Sequence, residues 1–186
     1  MSTHLIKLEE AGKKYVSHRF SLDLYQNDFF LISGGNGSGK TTLLMLVLGF
    51  IYPDSGSITK RKFKIGYVPE KVALPPFVNV LDYLKTYARI KKGTVDMRLV
   101  HHFEVPVDKT MYELSKGNQQ KVALLCALMG SPNLIVLDEP LSGLDDVTKE
   151  KFVHVLTDVY HKGVSIMIST HEPEWFLAVA TKHIHL

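Results

Sequence analysis

The sequence predicts an α/β protein built on a mostly parallel sheet. Two observations predict it. Phe29-Phe30-Leu31-Ile32 and Leu134-Ile135-Val136-Leu137 are short continuous apolar runs, as expected of strands covered on both faces. Segments of helical spacing lie between and after such runs. Strands that alternate with helices give a parallel sheet, with ligands at the carboxyl ends of its strands.

In chain order, His4–Leu8 and Phe20–Leu24 alternate apolar and polar side chains and read as half-buried strands. Phe29–Ile32 follows, and the glycines of 34–39 break it. Thr41–Phe50 resumes as a helix apolar nearly all round, hence buried. Pro53-Asp54-Ser55-Gly56 is a turn and Lys64–Val68 a strand. Pro75-Pro76 marks a linker. Asn79 caps a helix whose apolar positions Val80, Leu81, Leu84, Tyr87 and Ala88 fit helical spacing. Helical signals continue to Ser115, so 72–113 reads as a small α-helical lobe inserted into a single domain with core 1–71 and 114–186. A helix from Ser115, the strand Leu134–Leu137 and an amphipathic helix carrying Phe152, Val155, Leu156, Val159 and Tyr160 come next. The strand Val164–Ser169, a short helix opening at Glu172-Pro173 and a final strand His183–Leu186 complete the order.

A chain of 186 residues, 45% hydrophobic, is long enough to bury a sizeable core. A net charge of +3 is too weak to imply nucleic acid, so no nucleic-acid partner is expected. The densest basic run, Lys60–Lys64, reads as a solvated hairpin face. The lone cysteine, Cys126, sits in an apolar run and reads as a buried structural thiol in a reducing compartment. The start MSTHLIKLEE lacks a basic-then-apolar signal, and the longest apolar runs have 9 residues where a membrane helix needs roughly 20. The expectation is a cytoplasmic chain that reaches a membrane only through a partner. His101-His102 and His183-x-His185 have generic spacing and read as solvated histidines.

The chemistry is carried first by Gly34-Gly35-Asn36-Gly37-Ser38-Gly39-Lys40-Thr41, which fits G-x-x-x-x-G-K-[ST] with a strand before and a helix after. The glycines let the backbone curl so that successive N–H groups meet one phosphate chain, and the helix dipole adds positive charge there. The motif predicts a P-loop NTPase core that binds a nucleotide's phosphate chain with Mg²⁺. Lys40 reaches the β and γ phosphates, the Thr41 hydroxyl ligates the metal, and Thr42 contacts the α phosphate. Leu134–Leu137 delivers Asp138 to a strand end, where it holds Mg²⁺ through water. Glu139 orients or deprotonates the attacking water. No N-K-x-D stretch exists, which disfavours a guanine-specific switch.

A second helix start with anion-binding character, Leu114-Ser115-Lys116-Gly117-Asn118, has no place in a single-copy site. Here the chain resembles a nucleotide-binding domain of the ATP-binding cassette (ABC) family. That stretch lies where the family has its LSGGQ signature. Leu141-Ser142-Gly143-Leu144-Asp145 resembles the loop after the second strand motif, His171 the switch histidine, and Tyr15 the aromatic that stacks on adenine. The motifs fall in the family's order over almost the whole chain.

The resemblance implies ATP as the bound nucleotide, and an N-terminal antiparallel β subdomain beside the parallel core. It implies that Ser115, Lys116, Gly117 and Asn118 face the γ phosphate held by a second, antiparallel copy, in a homodimer or pseudo-dimer. It further implies a transmembrane permease partner at the inner face of the cell membrane, with ATP hydrolysis driving it. His171 would contact the γ phosphate. Taken alone, Ser115 reads more readily as the cap of its own helix, serving only its own N–H groups.

Three positions depart from the family, one being Asn118 in place of the signature glutamine. Lys116 replaces the first signature glycine, adding a cation near the partner's phosphate or pointing to solvent. Glu70 stands where glutamine is usual, a metal ligand that links the site to the membrane partner. Glu70 and LSKG are similar to the exporter branch, so export is expected. A regulatory ABC ATPase acting by ATP-driven dimerisation without transport is the alternative, with identical motifs.

Overall fold

Two sheets organise residues 3–186, which the computed structural model describes. Strands β1 (His4–Gly12), β2 (Phe20–Tyr25) and β4 (Ser55–Lys60) form an antiparallel sheet in the order β2-β1-β4. Strands β3 (Phe29–Ser33), β5 (Ile65–Val68), β6 (Leu134–Asp138), β7 (Ser165–Thr170) and β8 (Lys182–His185) form a sheet in the order β5-β6-β7-β3-β8. Every pair in that second sheet is parallel.

Five α-helices accompany them: α1 (Lys40–Leu48), α2 (Val80–Ile90), α3 (Met97–His102), α4 (Lys116–Leu128) and α5 (Asp146–His161). The α/β class, the parallel sheet and the antiparallel N-terminal part are as the sequence predicts.

The parallel sheet is buried on both faces because its strands alternate toward two cores. Phe29, Leu31, Ile135, Leu137, Ile166 and Ile168 point to one side, where they meet α4, α5 and residues of α2 and α3 such as Leu84 and Val100. Phe30, Ile32, Leu134, Val136 and Met167 point to the other, where they meet α1 and the apolar face of the antiparallel sheet. This period-two division explains why β3 and β6 read as unbroken apolar runs. Leu43, Leu44 and Val47 of α1 are fully buried, each contributing about 2 kcal/mol of transfer free energy.

Several local expectations are corrected. Residues 53–56 are not only a turn: Ser55 opens β4, an exposed strand that exists because β1 offers it a partner. The basic run is not a hairpin face, since β4 pairs with β1 and β5 with β6. Its ends are exposed, as the sequence predicts, yet each also reaches a backbone carbonyl. Lys60 Nζ donates to Val47 O at 3.2 Å and Leu48 O at 3.0 Å, and Lys64 Nζ donates to Gly130 O at 2.9 Å. Lys60 thus places a cation on the C-terminal carbonyls of α1, where the helix dipole favours it. Between residues 72 and 113 the elements are all helical, as the sequence predicts: α2, the short α3 and a 3-10 turn at Met111–Glu113 before α4.

His183 and His185 are exposed, as the sequence predicts, and each also has a partner. Both place a ring nitrogen on the buried Ser33 hydroxyl, at 2.7 and 2.9 Å. Cys126 is buried, and that burial pushes its thiol up to about 12, as a structural thiol requires. No helix among the described residues is long and apolar enough to cross a membrane.

Candidate nucleotide site

The site forms at the carboxyl ends of β3, β6 and β7. The loop after β3 turns into α1 through Gly39, whose φ of 102° is a left-handed conformation that suits glycine. Gly39 supplies no side-chain cap, and the first turn of α1 holds no acidic residue. The N–H groups there are left to an anion, as a phosphate site requires.

β6 presents Asp138 and then Glu139. Asp138 is 1% exposed, and its carboxylate accepts a hydrogen bond from the Ser169 hydroxyl, its register partner on β7. Glu139 has a φ of 47°, unusual for a residue with a side chain, and its N–H donates to Ser169 O at 3.0 Å. This turn brings its carboxylate between two partners. Lys40 Nζ lies 3.4 Å from Oε1, while the His171 N–H donates to Oε2 at 3.1 Å. His171 Nδ1 lies 2.7 Å from the same oxygen, and because a carboxylate only accepts, the ring hydrogen sits on Nδ1. Lys40 also donates to Gly34 O at 2.8 Å and Gly35 O at 3.1 Å, folded back over its own loop.

A cleft of about 570 Å³ opens over these groups. It gathers Tyr15, Asn36, Gly37, Ser38, Gly39, Lys40, Thr41, Thr42, Glu70, Glu139 and His171. Tyr15 sits on the loop between β1 and β2, 69% exposed, so it is not a core aromatic. Gly35 takes part through its carbonyl rather than by lining the cleft. Asp138 does not line the cleft either; its buried carboxylate sits one residue before Glu139, which does. Val16 and Ser142 line it and were not singled out as site residues, although Val16 adjoins Tyr15 and Ser142 lies in the quoted LSGLD stretch. The donors at hand are hydroxyls and carboxylates, a set that suits a hard cation such as Mg²⁺ better than a thiophilic metal.

Ser115, Lys116, Gly117 and Asn118 are not brought into this cleft. They line a separate pocket of about 220 Å³ with Gly143, Leu144 and Asp145. Ser115 caps α4 by accepting from the Asn118 N–H at 3.2 Å. Capping uses Ser115 as an acceptor, and its O–H remains free to donate. The N-termini of α2 and α5 carry acids in the first turn, Asp82 and Asp146, and α3 is capped by Asp96. Only α1 and α4 have no acid at the cap or in the first turn, so they alone among the described helices suit an approaching anion.

A parallel sheet whose strand ends converge on a glycine loop, a lysine and a carboxylate defines the class of P-loop nucleotide-binding domains. Comparison with known proteins agrees: residues 17–142 match the ABC transporter family model. The chain belongs to that family.

It is 37% identical over 169 residues to the uncharacterized ABC transporter ATP-binding protein YhaQ of Bacillus subtilis (strain 168), covering 82% of this chain and 57% of that protein. It is 32% identical over 170 residues to the zinc import ATP-binding protein ZnuC of Rickettsia conorii (strain ATCC VR-613 / Malish 7), covering 88% and 73%. Among solved structures, the dimeric bacterial ABC transporter cassette MJ0796 has the same fold, with a TM-score of 0.81 at 23% identity over 100% of this chain and 93% of that one. The chain spans less than two thirds of the length of YhaQ.

Proposed function

We propose that the chain is the ATP-binding subunit of an ABC transporter, hydrolysing ATP with Mg²⁺ between two copies to drive a separate membrane subunit. The observation that carries this reading is the pair of acid-free helix ends, α1 in the cleft and α4 in another pocket. One nucleotide needs only the first. A second copy, arranged head to tail, gives the α4 end an anion of its own, the γ phosphate over the partner's loop.

In this reading Tyr15 stacks on the adenine, and residues 35–42 cradle the triphosphate. Lys40 leaves the carbonyls of Gly34 and Gly35 for the phosphate oxygens. That movement releases Glu139 to accept a proton from the attacking water, while His171 holds its carboxylate in place. Thr41, Asp138 and Glu70 would hold Mg²⁺, which offsets the phosphoryl charge. The partner's Ser115 O–H and Gly117 N–H complete the charge stabilisation.

Residues 72–113 act as the lobe that takes up contact with the membrane subunit at the cytoplasmic face. Phe77 and Tyr112 are 87% and 76% exposed there, joined through a Tyr112 N–H to Pro76 O bond of 2.9 Å. Export is the direction expected from Glu70 and Lys116. ZnuC of Rickettsia conorii, the relative above with a named cargo, is a zinc import protein, so export rests on Glu70 and Lys116 alone.

The test is turnover per molecule as a function of protein concentration. It should fall steeply on dilution; a constant value contradicts the two-copy site.

A further inference from the structure

A cavity of about 420 Å³ lies between the loop after β5 and the start of α4. Its lining includes Glu70, Lys71, Lys116, Gln120 and Ser142. It adjoins two other sites. Glu70 and Ser142 also line the nucleotide cleft, and Lys116 also lines the pocket at the α4 end. Two of the three residues that depart from the family pattern, Glu70 and Lys116, therefore border one space.

Gln120 is the second observation. It is 6% exposed, and its Nε2 is buried without a hydrogen-bond partner. A buried amide hydrogen without an acceptor is unfavourable, and proteins rarely leave one so. Among the residues lining this cavity, Glu70 is the one carboxylate, against the two cations Lys71 and Lys116.

Resting on the nucleotide-site reading above, we infer that Lys116 and Gln120 are positioning residues for Glu70, giving its carboxylate a second seat in this cavity. Glu70 borders both spaces, so side-chain rotation moves its charge between them. In the cavity seat the Gln120 amide and the Lys116 ammonium receive it, and the cleft loses a negative charge that repels triphosphate. In the cleft seat it serves the metal. Lys116 then compensates within one chain for the carboxylate that Glu70 introduces.

The experiment is a double-mutant cycle read by binding rather than turnover. Affinity for the fluorescent nucleotide methylanthraniloyl-ATP is measured at low protein concentration, in EDTA and in Mg²⁺, for wild type, Lys116→Gly, Glu70→Gln and the double variant. In EDTA, Lys116→Gly should weaken binding about threefold when Glu70 is present, the scale of a partly screened ion pair, and have no effect in the Glu70→Gln background. Lys116→Arg should restore the wild-type value, and Gln120→Leu should act in the same direction as Lys116→Gly. Equal effects of Lys116→Gly in both backgrounds, or none in either, overturn the inference. A wild-type chain that binds no nucleotide in either buffer overturns the cleft reading itself, and is recognised by that alone.

Discussion

Lys40 and Glu139 face each other at 3.4 Å with only 7% and 12% of their side chains exposed. Without an anion in the cleft, each neutralises the other. Replacing Lys40 leaves the Glu139 carboxylate its two His171 hydrogen bonds but removes its neighbouring cation, which is unfavourable at such low exposure. Lys40→Ala should therefore lower the melting temperature as well as weaken nucleotide binding, by about tenfold or more. Calorimetry beside fluorescent-nucleotide titration checks both. A melting temperature equal to wild type would show that Glu139 needs no neighbouring cation.

Glu139→Gln keeps the volume and the Lys40 neighbour but removes the base. ATP binding should persist while turnover falls by about 10²-fold or more. The ATP-bound variant should elute as a dimer in gel filtration, since the anion that joins two copies is no longer consumed. A monomer of full activity would contradict the assignment.

Ser115→Arg separates the two helix ends. The variant should still bind nucleotide, because α1 and its loop are untouched, yet lose turnover. Mixed with Lys40→Ala, it should regain some activity, since that hybrid retains one site with both halves intact. Absence of rescue in the mixture, with both variants folded, counts against sharing across copies.

Gly66 lies on β5 where α4 packs closely. A Cβ there would come within 2.0 Å of Ala127 O, which is backbone and cannot give way. Gly66→Ala should destabilise by about 3 kcal/mol and lower the melting temperature by about 5–10 °C, read by thermal denaturation. Gly37→Ala, where no atom lies within 4 Å, serves as the contrast: its cost is the φ of 78°, about 1 kcal/mol.

Cys126 gives a pH test. With its thiol pushed up to about 12 by burial, about one molecule in ten thousand is thiolate at pH 8. Iodoacetamide should label the folded chain far more slowly than the urea-unfolded chain, and raising pH from 7 to 9 should not remove that protection. Rapid labelling of the folded protein, followed by mass spectrometry, would show that the thiol is accessible.

Much of the parallel sheet was legible because its signals are local. β3 and β6 are unbroken apolar runs, and the loop of 34–41 carries its whole geometry in consecutive residues. β4 was not legible: SGSITK is exposed and nearly polar throughout, and only its pairing with β1, far away in sequence, makes it a strand. The carbonyl partners of Lys60 and Lys64 were not legible for the same reason, since they lie in other elements. Glu139 was placed by its neighbours in sequence. His171 was reached only through family resemblance, because the contact between them joins two strands and no spacing within one segment encodes it. Ser142 lay inside a quoted stretch, but its approach to the cleft depends on the turn after Glu139.

Helix α1 is a rod about 13 Å long, gripped at both tips. One tip is the glycine loop itself; the other is fastened by Lys60 to the end of β4. Such a strut has little slack. A load on the segment that follows it, where Phe50 and Tyr52 project 62% and 84% exposed, would reach the glycine loop along the helix axis.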